Sequence, residues 1–131
     1  IHQAQVASRV VVGHIAGEAG IDSVVVVKQL GATFRGWLHR DGNAGLVKLV
    51  FDRDGGRLVG ATVVGPHGGE ILGQLSLAVH AGIGLEMLRS MVYAFPTLHG
   101  AIGEAIGAYG RGVTTVMDPG YDGIARLDRM A

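Results

Sequence analysis

The chain has 131 residues, a length that suits one domain with a substantial hydrophobic core. Its 11 basic and 11 acidic residues cancel, which argues against nucleic acid, an anionic membrane surface or an acidic substrate as the partner. The sequence contains no cysteine, so these residues supply no disulfide, thiolate nucleophile or thiolate metal ligand.

The surface of the folded chain is predicted to be unusually apolar. Charged residues make up 17% of the chain and hydrophobic residues 48%, whereas a soluble domain has roughly 25% charged residues. We therefore expect an apolar surface that is buried against another copy or a further domain. The apolar runs fall well short of the roughly 20 residues of a membrane span, and the first residues lack the order of a signal peptide. A cytoplasmic location is expected.

The first third of the chain predicts a helix, a strand and a loop. Residues 1–17 are predicted to be helical, because apolar side chains recur at helical spacing between polar ones until Gly17. The segment IDSVVVVKQL follows as a strand, and its continuous valines suggest burial on both faces. Residues 31–45 predict a loop or a short irregular strand around Trp37, since Gly, Asn and Asp punctuate them.

The segment GLVKLVFDRDGGRLVGATVVGP predicts an antiparallel hairpin. Two runs of β-branched residues flank Asp-Arg-Asp-Gly-Gly, which has the composition of a turn. Gly60 in the second strand suggests a bulge or a close backbone approach. The strand is expected to end at Gly65 and Pro66.

Two helices are predicted after the hairpin. The first is capped by Gly82 in the left-handed conformation, and its apolar face comprises Ile71, Leu72, Leu75, Ala78 and Val79. The second is short, starts near Leu85 and is expected to bury Leu88, Met91 and Val92.

A last helix is predicted after the corner VYAFPTLHG, with Thr97 as its N-cap. The tail after Val113 loses its periodicity and is expected to be partly ordered. Interior glycines weaken a helix, so a stripe of them indicates a backbone that packs closely against a neighbour. The apolar face comprises Leu98, Ala101, Ile102, Ala105, Ile106 and Tyr109, and the stripe comprises Gly100, Gly103, Gly107 and Gly110.

Spacing alone indicates no catalytic machinery. The six histidines are scattered without a metal-binding spacing, and no nucleophile has a base at a recognisable distance along the chain. The segment GPHGGE could bind an anion through converging amides, but a tight strand-to-helix turn is the favoured interpretation, because no phosphate-binding motif accompanies it. The residues thus predict an α+β domain: an antiparallel β-sheet with helices packed on it.

The hairpin, helices and corner resemble the C-terminal interface domain of the pyridine nucleotide–disulfide oxidoreductases, the flavoenzymes that include dihydrolipoamide dehydrogenase and mercuric reductase. The resemblance covers about residues 45–108 and implies a full chain that binds FAD and NAD(P)H and forms a homodimer. The matching motifs are Gly45-Leu46-Val47-Lys48-Leu49, Leu58-Val59-Gly60-Ala61, Val64-Gly65-Pro66, Gly69-Glu70, Leu77-Ala78 and Pro96-Thr97-Leu98.

The resemblance also implies a division of the chain. Residues 1–20 are similar to the helix that closes the FAD domain, with His2 near the flavin, residues 21–113 to the interface domain, and 114–131 to a tail. A stretch present in relatives between the first two parts is missing here. Because neither Rossmann glycine fingerprint occurs, we expect the chain to be part of a longer enzyme, and no cofactor bound by this segment alone.

The corner departs from the dithiol-using members of the family. Their His-Pro-x-x-x-Glu motif, in which the imidazole exchanges protons with redox thiols, is replaced here by Phe95 and Gly100. His99 is one helical turn beyond Phe95, so a substitute role would require a different backbone. The cysteine pair at the C-terminus of mercuric reductases is also absent. No catalytic or metal residue is therefore assigned to this segment.

The resemblance implies an FAD-dependent NAD(P)H oxidoreductase that reduces a quinone or another small acceptor. Phe95 and Pro96 are then expected near the flavin, and Tyr93, Thr97, Gly100, Gly103 and Gly107 at the interface. The alternatives are a stand-alone dimerisation or adaptor module without redox activity and a small anion-binding domain. The acceptor, the choice of NADH or NADPH and the presence of an upstream cysteine pair stay open.

Overall fold

The computed structural model describes Ser8 and Arg9 and then residues 22–110. In this part of the chain the fold is α+β. The elements in chain order are β1 (Ser8–Arg9), β2 (Ser23–Gln29), a 3-10 turn (Leu30–Ala32), α1 (Phe34–His39), β3 (Leu46–Asp52), β4 (Leu58–Val64), α2 (Gly68–His80), α3 (Leu85–Ser90) and α4 (Gly100–Gly110).

The described strands form one antiparallel sheet in the order β1-β4-β3-β2. The predicted hairpin is confirmed as β3 and β4, and the predicted strand as β2. Val50 pairs with Gly60 and Phe51 with Leu58, so Val59 is the extra residue of a bulge beside Gly60. Both the hairpin and its irregularity thus follow the turn and glycine signals of the sequence.

The core lies between the sheet and the helices. Helix α2 contacts β4, and α4 contacts β2 and β3. The predicted apolar faces of both helices are confirmed, since Ile71 and Leu75 of α2 and Ala101, Ile102 and Ala105 of α4 are fully or almost fully buried. The left-handed cap is confirmed at Gly82, where φ is +63°.

The segment between β2 and β3 differs from the prediction of a loop or irregular strand. It forms the 3-10 turn and α1, and Thr33 caps that helix by accepting a hydrogen bond at Oγ1 from the Gly36 amide at 3.0 Å. The Thr33 hydroxyl also donates to the Leu30 carbonyl at 2.6 Å. Both bonds are made inside the protein, because Thr33 is 1% exposed. The glycines and polar residues of this segment favoured a loop in the sequence analysis, although the segment contains a helix of six residues.

Three other predictions need correction. The helix predicted for residues 1–17 is wrong at Ser8–Arg9, which pair with β4 and cover its otherwise open edge; the rest of that range lies outside the described residues. Strand β2 is not buried on both faces, since its burial alternates around Val24 and Val26. Helix α3 buries Leu88 as predicted, but it ends before Met91 and Val92, which are 39% and 92% exposed.

Two further features bear on earlier expectations. In residues 22–110 no helix is long and apolar enough to cross a membrane. The GPHGGE turn is closed by its own backbone, because the Gly68 amide donates to the Gly65 carbonyl at 3.1 Å, and His67 adopts a left-handed φ of 56°. The tight-turn interpretation therefore accounts for this segment. The predicted tail after residue 113 lies outside the described residues.

Replacing Gly36 by alanine is expected to lower the free energy of unfolding by about 2 kcal/mol or more. A Cβ atom at this buried position would overlap the Leu30 carbonyl oxygen and lie 2.9 Å from Thr33 Oγ1. Gly73→Ala is the matched control, because its Cβ would meet nothing within 4 Å on an exposed face of α2. It should raise the free energy of unfolding by roughly 0.5–1 kcal/mol. Chemical denaturation measures both, and equal effects would contradict the packing described for α1.

Candidate functional site

A groove lies at the corner between α3 and α4. Its volume is about 380 Å³. Side chains from β2, α1, the corner and α4 surround it, so elements distant in sequence meet there. We call it the corner groove; its lining consists of Lys28, Phe34, Arg35, Tyr93, Ala94, Phe95, Pro96, Thr97, Gly100, Gly103, Glu104 and Gly107.

Hydrogen bonds local to the corner fix the start of α4. Thr97 Oγ1 accepts a hydrogen bond from the Gly100 amide at 3.3 Å, which confirms Thr97 as the capping residue. The same hydroxyl donates to the Ala94 carbonyl at 2.5 Å. The Phe95–Pro96 peptide between them is cis. The turn that presents Phe95 is thus tied to the first turn of the helix.

Tyr93 packs against the glycine stripe of α4. A Cβ atom at Gly103 would lie 2.9 Å from Cδ2 of the Tyr93 ring, so only glycine lets the ring approach this closely. The Tyr93 hydroxyl donates to the Leu88 carbonyl at 2.7 Å, and burial raises the pKa of this phenol. The close approach predicted for the stripe is confirmed at Gly103, and the neighbour is a side chain of the same chain.

An exposed aromatic cluster borders the groove. The ring of Phe34 lies 4.8 Å from that of Phe95 and 5.9 Å from that of Trp37, measured between centroids. Phe95 is 75% exposed, Trp37 66% and Phe34 46%. We call these three residues the aromatic edge. So much exposed aromatic surface in one place is typical of a surface that contacts another molecule.

Charged groups also line the groove. Glu104 Oε2 is 3.6 Å from Lys28 Nζ, and Glu104 Oε1 accepts a hydrogen bond from the Phe34 amide at 3.2 Å. Arg35 of α1 also lines the groove, and its Nη1 is 3.4 Å from Nδ1 of His39. The groove therefore combines an apolar rim with a carboxylate that is already engaged by two partners.

The imidazole nearest the corner does not line the groove. His99 lies behind the turn with its ring 5.9 Å from the Tyr93 ring, and its buried Nδ1 has no hydrogen-bond partner among the described residues. Phe95 and Gly100 line the groove at the corner without an ionisable group, and the phenol of Tyr93, which also lines it, donates to the Leu88 carbonyl. No proton-transferring side chain is thus placed at the rim by the corner itself.

The structure brings most of the predicted site residues together. Of those predicted near the flavin or at the interface, seven line the groove, whereas His2 lies outside the described residues. Sequence reasoning missed the contribution of α1 and β2, because residues 31–45 predicted a loop. Within residues 22–110 no group of three or more potential metal ligands occurs. The seven are Tyr93, Phe95, Pro96, Thr97, Gly100, Gly103 and Gly107.

Comparison with protein families identifies the domain. The model of the pyridine nucleotide–disulphide oxidoreductase dimerisation domain matches residues 5–106. The chain belongs to this family. The match begins inside the segment that the resemblance assigned to the FAD domain, and it includes β1 with the rest of the sheet. A comparison with curated proteins found no match.

Solved structures show the fold of this dimerisation domain within longer proteins. The chain superimposes on LpdA from Mycobacterium tuberculosis with a TM-score of 0.66 at 23% identity, covering 74% of this chain and 21% of LpdA. The HOCl-induced flavoprotein disulfide reductase RclA from Escherichia coli gives 0.64 at 23% identity, covering 70% and 21%. The NAD-dependent persulfide reductase from A. fulgidus gives 0.57 at 25% identity, covering 76% and 19%. The chain thus spans about a fifth of the length of each protein.

Tyr93→Phe is expected to lower the free energy of unfolding by about 1 kcal/mol near neutral pH, because the hydrogen bond to the Leu88 carbonyl is lost. The raised pKa means that the folded protein holds the phenol proton more tightly than the unfolded chain, in which a tyrosine has its ordinary pKa of about 10. This contribution is fully present below about pH 10 and is lost as the pH rises through the higher pKa of the folded state. Denaturation curves of both proteins should therefore converge at alkaline pH, and a constant difference would contradict this role of Tyr93.

Proposed function

We propose that this dimerisation domain belongs to an FAD-dependent NAD(P)H oxidoreductase of the dihydrolipoamide dehydrogenase and mercuric reductase type. In this proposal the longer protein is a cytoplasmic homodimer that reduces a small acceptor such as a quinone. The observation that carries it is the exposed aromatic edge beside the corner groove, in a chain that belongs to the dimerisation family.

Self-association follows from the family and from the surface of the domain. Apolar side chains at the corner and on α1 are exposed although the chain has few charges, and water contact with such a surface is unfavourable. A second copy that covers this surface removes that cost. The proposed interface residues are Tyr93, Thr97, Gly100, Gly103 and Gly107. Tyr93 contributes because its ring packs against Gly103 and so shapes the glycine face of α4.

The proposed chemistry does not use the His-Glu pair of the dithiol enzymes. Phe95 and Gly100 stand in the corner where that pair is expected, and a phenyl ring or a hydrogen atom transfers no proton. When bound, FAD supplies the relay of two electrons from NAD(P)H to the acceptor. The part of this chain is to exclude water and to shape an apolar acceptor site with Phe95 and Pro96.

The residues of the groove fit the ring system of a flavin better than its phosphates. The rim is aromatic and apolar, as a planar ring requires, whereas the sequence lacks a Gly-x-Gly-x-x-Gly fingerprint for a pyrophosphate. FAD and NAD(P) are therefore assigned to segments outside this chain, and Phe95 and Pro96 border the flavin of the partner. His2 is proposed near the flavin from the family resemblance. The boundaries 21–113 for the interface domain and 114–131 for the tail stay predictions.

The full-length protein tests the proposal. It should be yellow from bound flavin, lose that colour when NADH or NADPH is added, and regain it with menadione in the absence of any thiol. Phe95→Ala should raise the KM for menadione about tenfold, which corresponds to about 1.4 kcal/mol of lost apolar contact. Reduction of the flavin by NAD(P)H should not change, because Phe95 is proposed to border only the acceptor.

Leu77→Ala is the matched control, since Leu77 is a 70% exposed apolar residue on α2 that lies outside the corner and does not line the groove. It should leave the KM for menadione unchanged. A colourless full-length protein would refute the enzyme and favour a structural module. Equal effects of the Phe95 and Leu77 substitutions would refute the acceptor site while leaving the flavoenzyme intact.

A further inference from the structure

Glu104 contacts two other elements that line the corner groove. From α4 its Oε1 accepts a hydrogen bond from the Phe34 amide of α1 at 3.2 Å, and its Oε2 lies 3.6 Å from Lys28 Nζ of β2. Helix α4 lies about 70 residues after β2 and α1 in sequence, and one carboxylate connects it to both. Glu104 also lies one helical turn after Gly100, so both positions face the same groove.

We propose that Glu104 is a positioning residue for the acceptor site, which fixes α1 so that Phe34 supports the ring of Phe95. The inference rests on the proposed function. The carboxylate acts on the acceptor through the aromatic edge and makes no contact with the acceptor itself. Its two oxygens already contact the Phe34 amide and the Lys28 ammonium group. We call this pair of contacts, which connects α4 to α1 and β2, the Glu104 brace.

The hydrogen bond to Phe34 is the stronger of the two contacts. Phe34 is the first residue of α1, and a first-turn amide has no acceptor inside its helix. The local cap does not serve it, because Thr33 Oγ1 accepts from the Gly36 amide. The ion pair with Lys28 is weaker, since the two side chains are 26% and 38% exposed and solvent screens their charges.

The position of α1 affects the orientation of Phe95 through the contact between the Phe34 and Phe95 rings. The Phe34 ring packs at 4.8 Å against Phe95, which is otherwise 75% exposed. A ring so exposed depends on its few contacts for a defined orientation. If α1 moves away from α4, Phe34 moves with it and Phe95 loses this support. The shape of the groove rim then changes, although the core beneath α4 is untouched.

Substitution of Glu104 in the full-length protein tests the brace. Glu104→Ala removes both contacts and should raise the KM for menadione about fivefold, with flavin reduction by NAD(P)H unchanged. Glu104→Gln keeps an oxygen that can accept from the Phe34 amide and should restore the KM to within about twofold of the original value. Glu86→Ala is the matched control, because Glu86 is an exposed carboxylate paired with Arg89 on α3. It should leave the KM unchanged.

Trp37 supplies a second readout that does not depend on turnover. It is the only tryptophan of this chain, lies on α1 and contacts Phe34 at 5.9 Å. The emission of Trp37 is obtained as the difference between each variant and the same variant with Trp37→Phe. Glu104→Ala should shift this emission, whereas Glu104→Gln and Glu86→Ala should not.

Two results would overturn the brace. The first is that the Glu104→Ala protein has the same KM for menadione and the same Trp37 emission as the Glu86→Ala protein. The other is a Glu104→Gln protein as impaired as Glu104→Ala, which would place the effect in the charge of the carboxylate. Absence of flavin or of menadione reduction refutes the proposed function, and the Trp37 emission then still decides whether Glu104 holds α1.

Discussion

The packing of α4 on the sheet is the constraint on which the site depends. Its buried face is made of small and branched side chains, and its other face is largely glycine. Tyr93 occupies the space that the missing side chain of Gly103 leaves, and its hydroxyl is held by the Leu88 carbonyl. Phe95 lies between Tyr93 and Thr97, both held by hydrogen bonds, and its ring is 75% exposed.

An outward aromatic corner explains the unusual composition of the chain. A domain that folded only for itself would cover its surface with more charge than the 17% found here. Most of the exposed large apolar residues lie on α1, at α3 and at the corner. The chain also spans about a fifth of the length of the solved proteins that share its fold.

Local patterns predicted the parts of the fold that local forces determine. The hairpin follows from its turn residues, and α2 and α4 follow from their apolar spacing. Helix α1 was not predicted because it has only six residues, one of them a glycine, and the surrounding segment is rich in Gly, Asn and Asp. It is held instead by a buried threonine cap and by Glu104, a residue 70 positions away. The exposure of Met91 and Val92 was likewise missed, since spacing alone does not show where α3 ends.

The most direct measurement is a crystal structure of the full-length protein with FAD bound. The account predicts two copies related by a twofold axis, with the Phe95 ring of one in van der Waals contact, at about 4 Å, with the isoalloxazine of the other. A Phe95 ring that points into solvent, with no second copy near the corner, would contradict it.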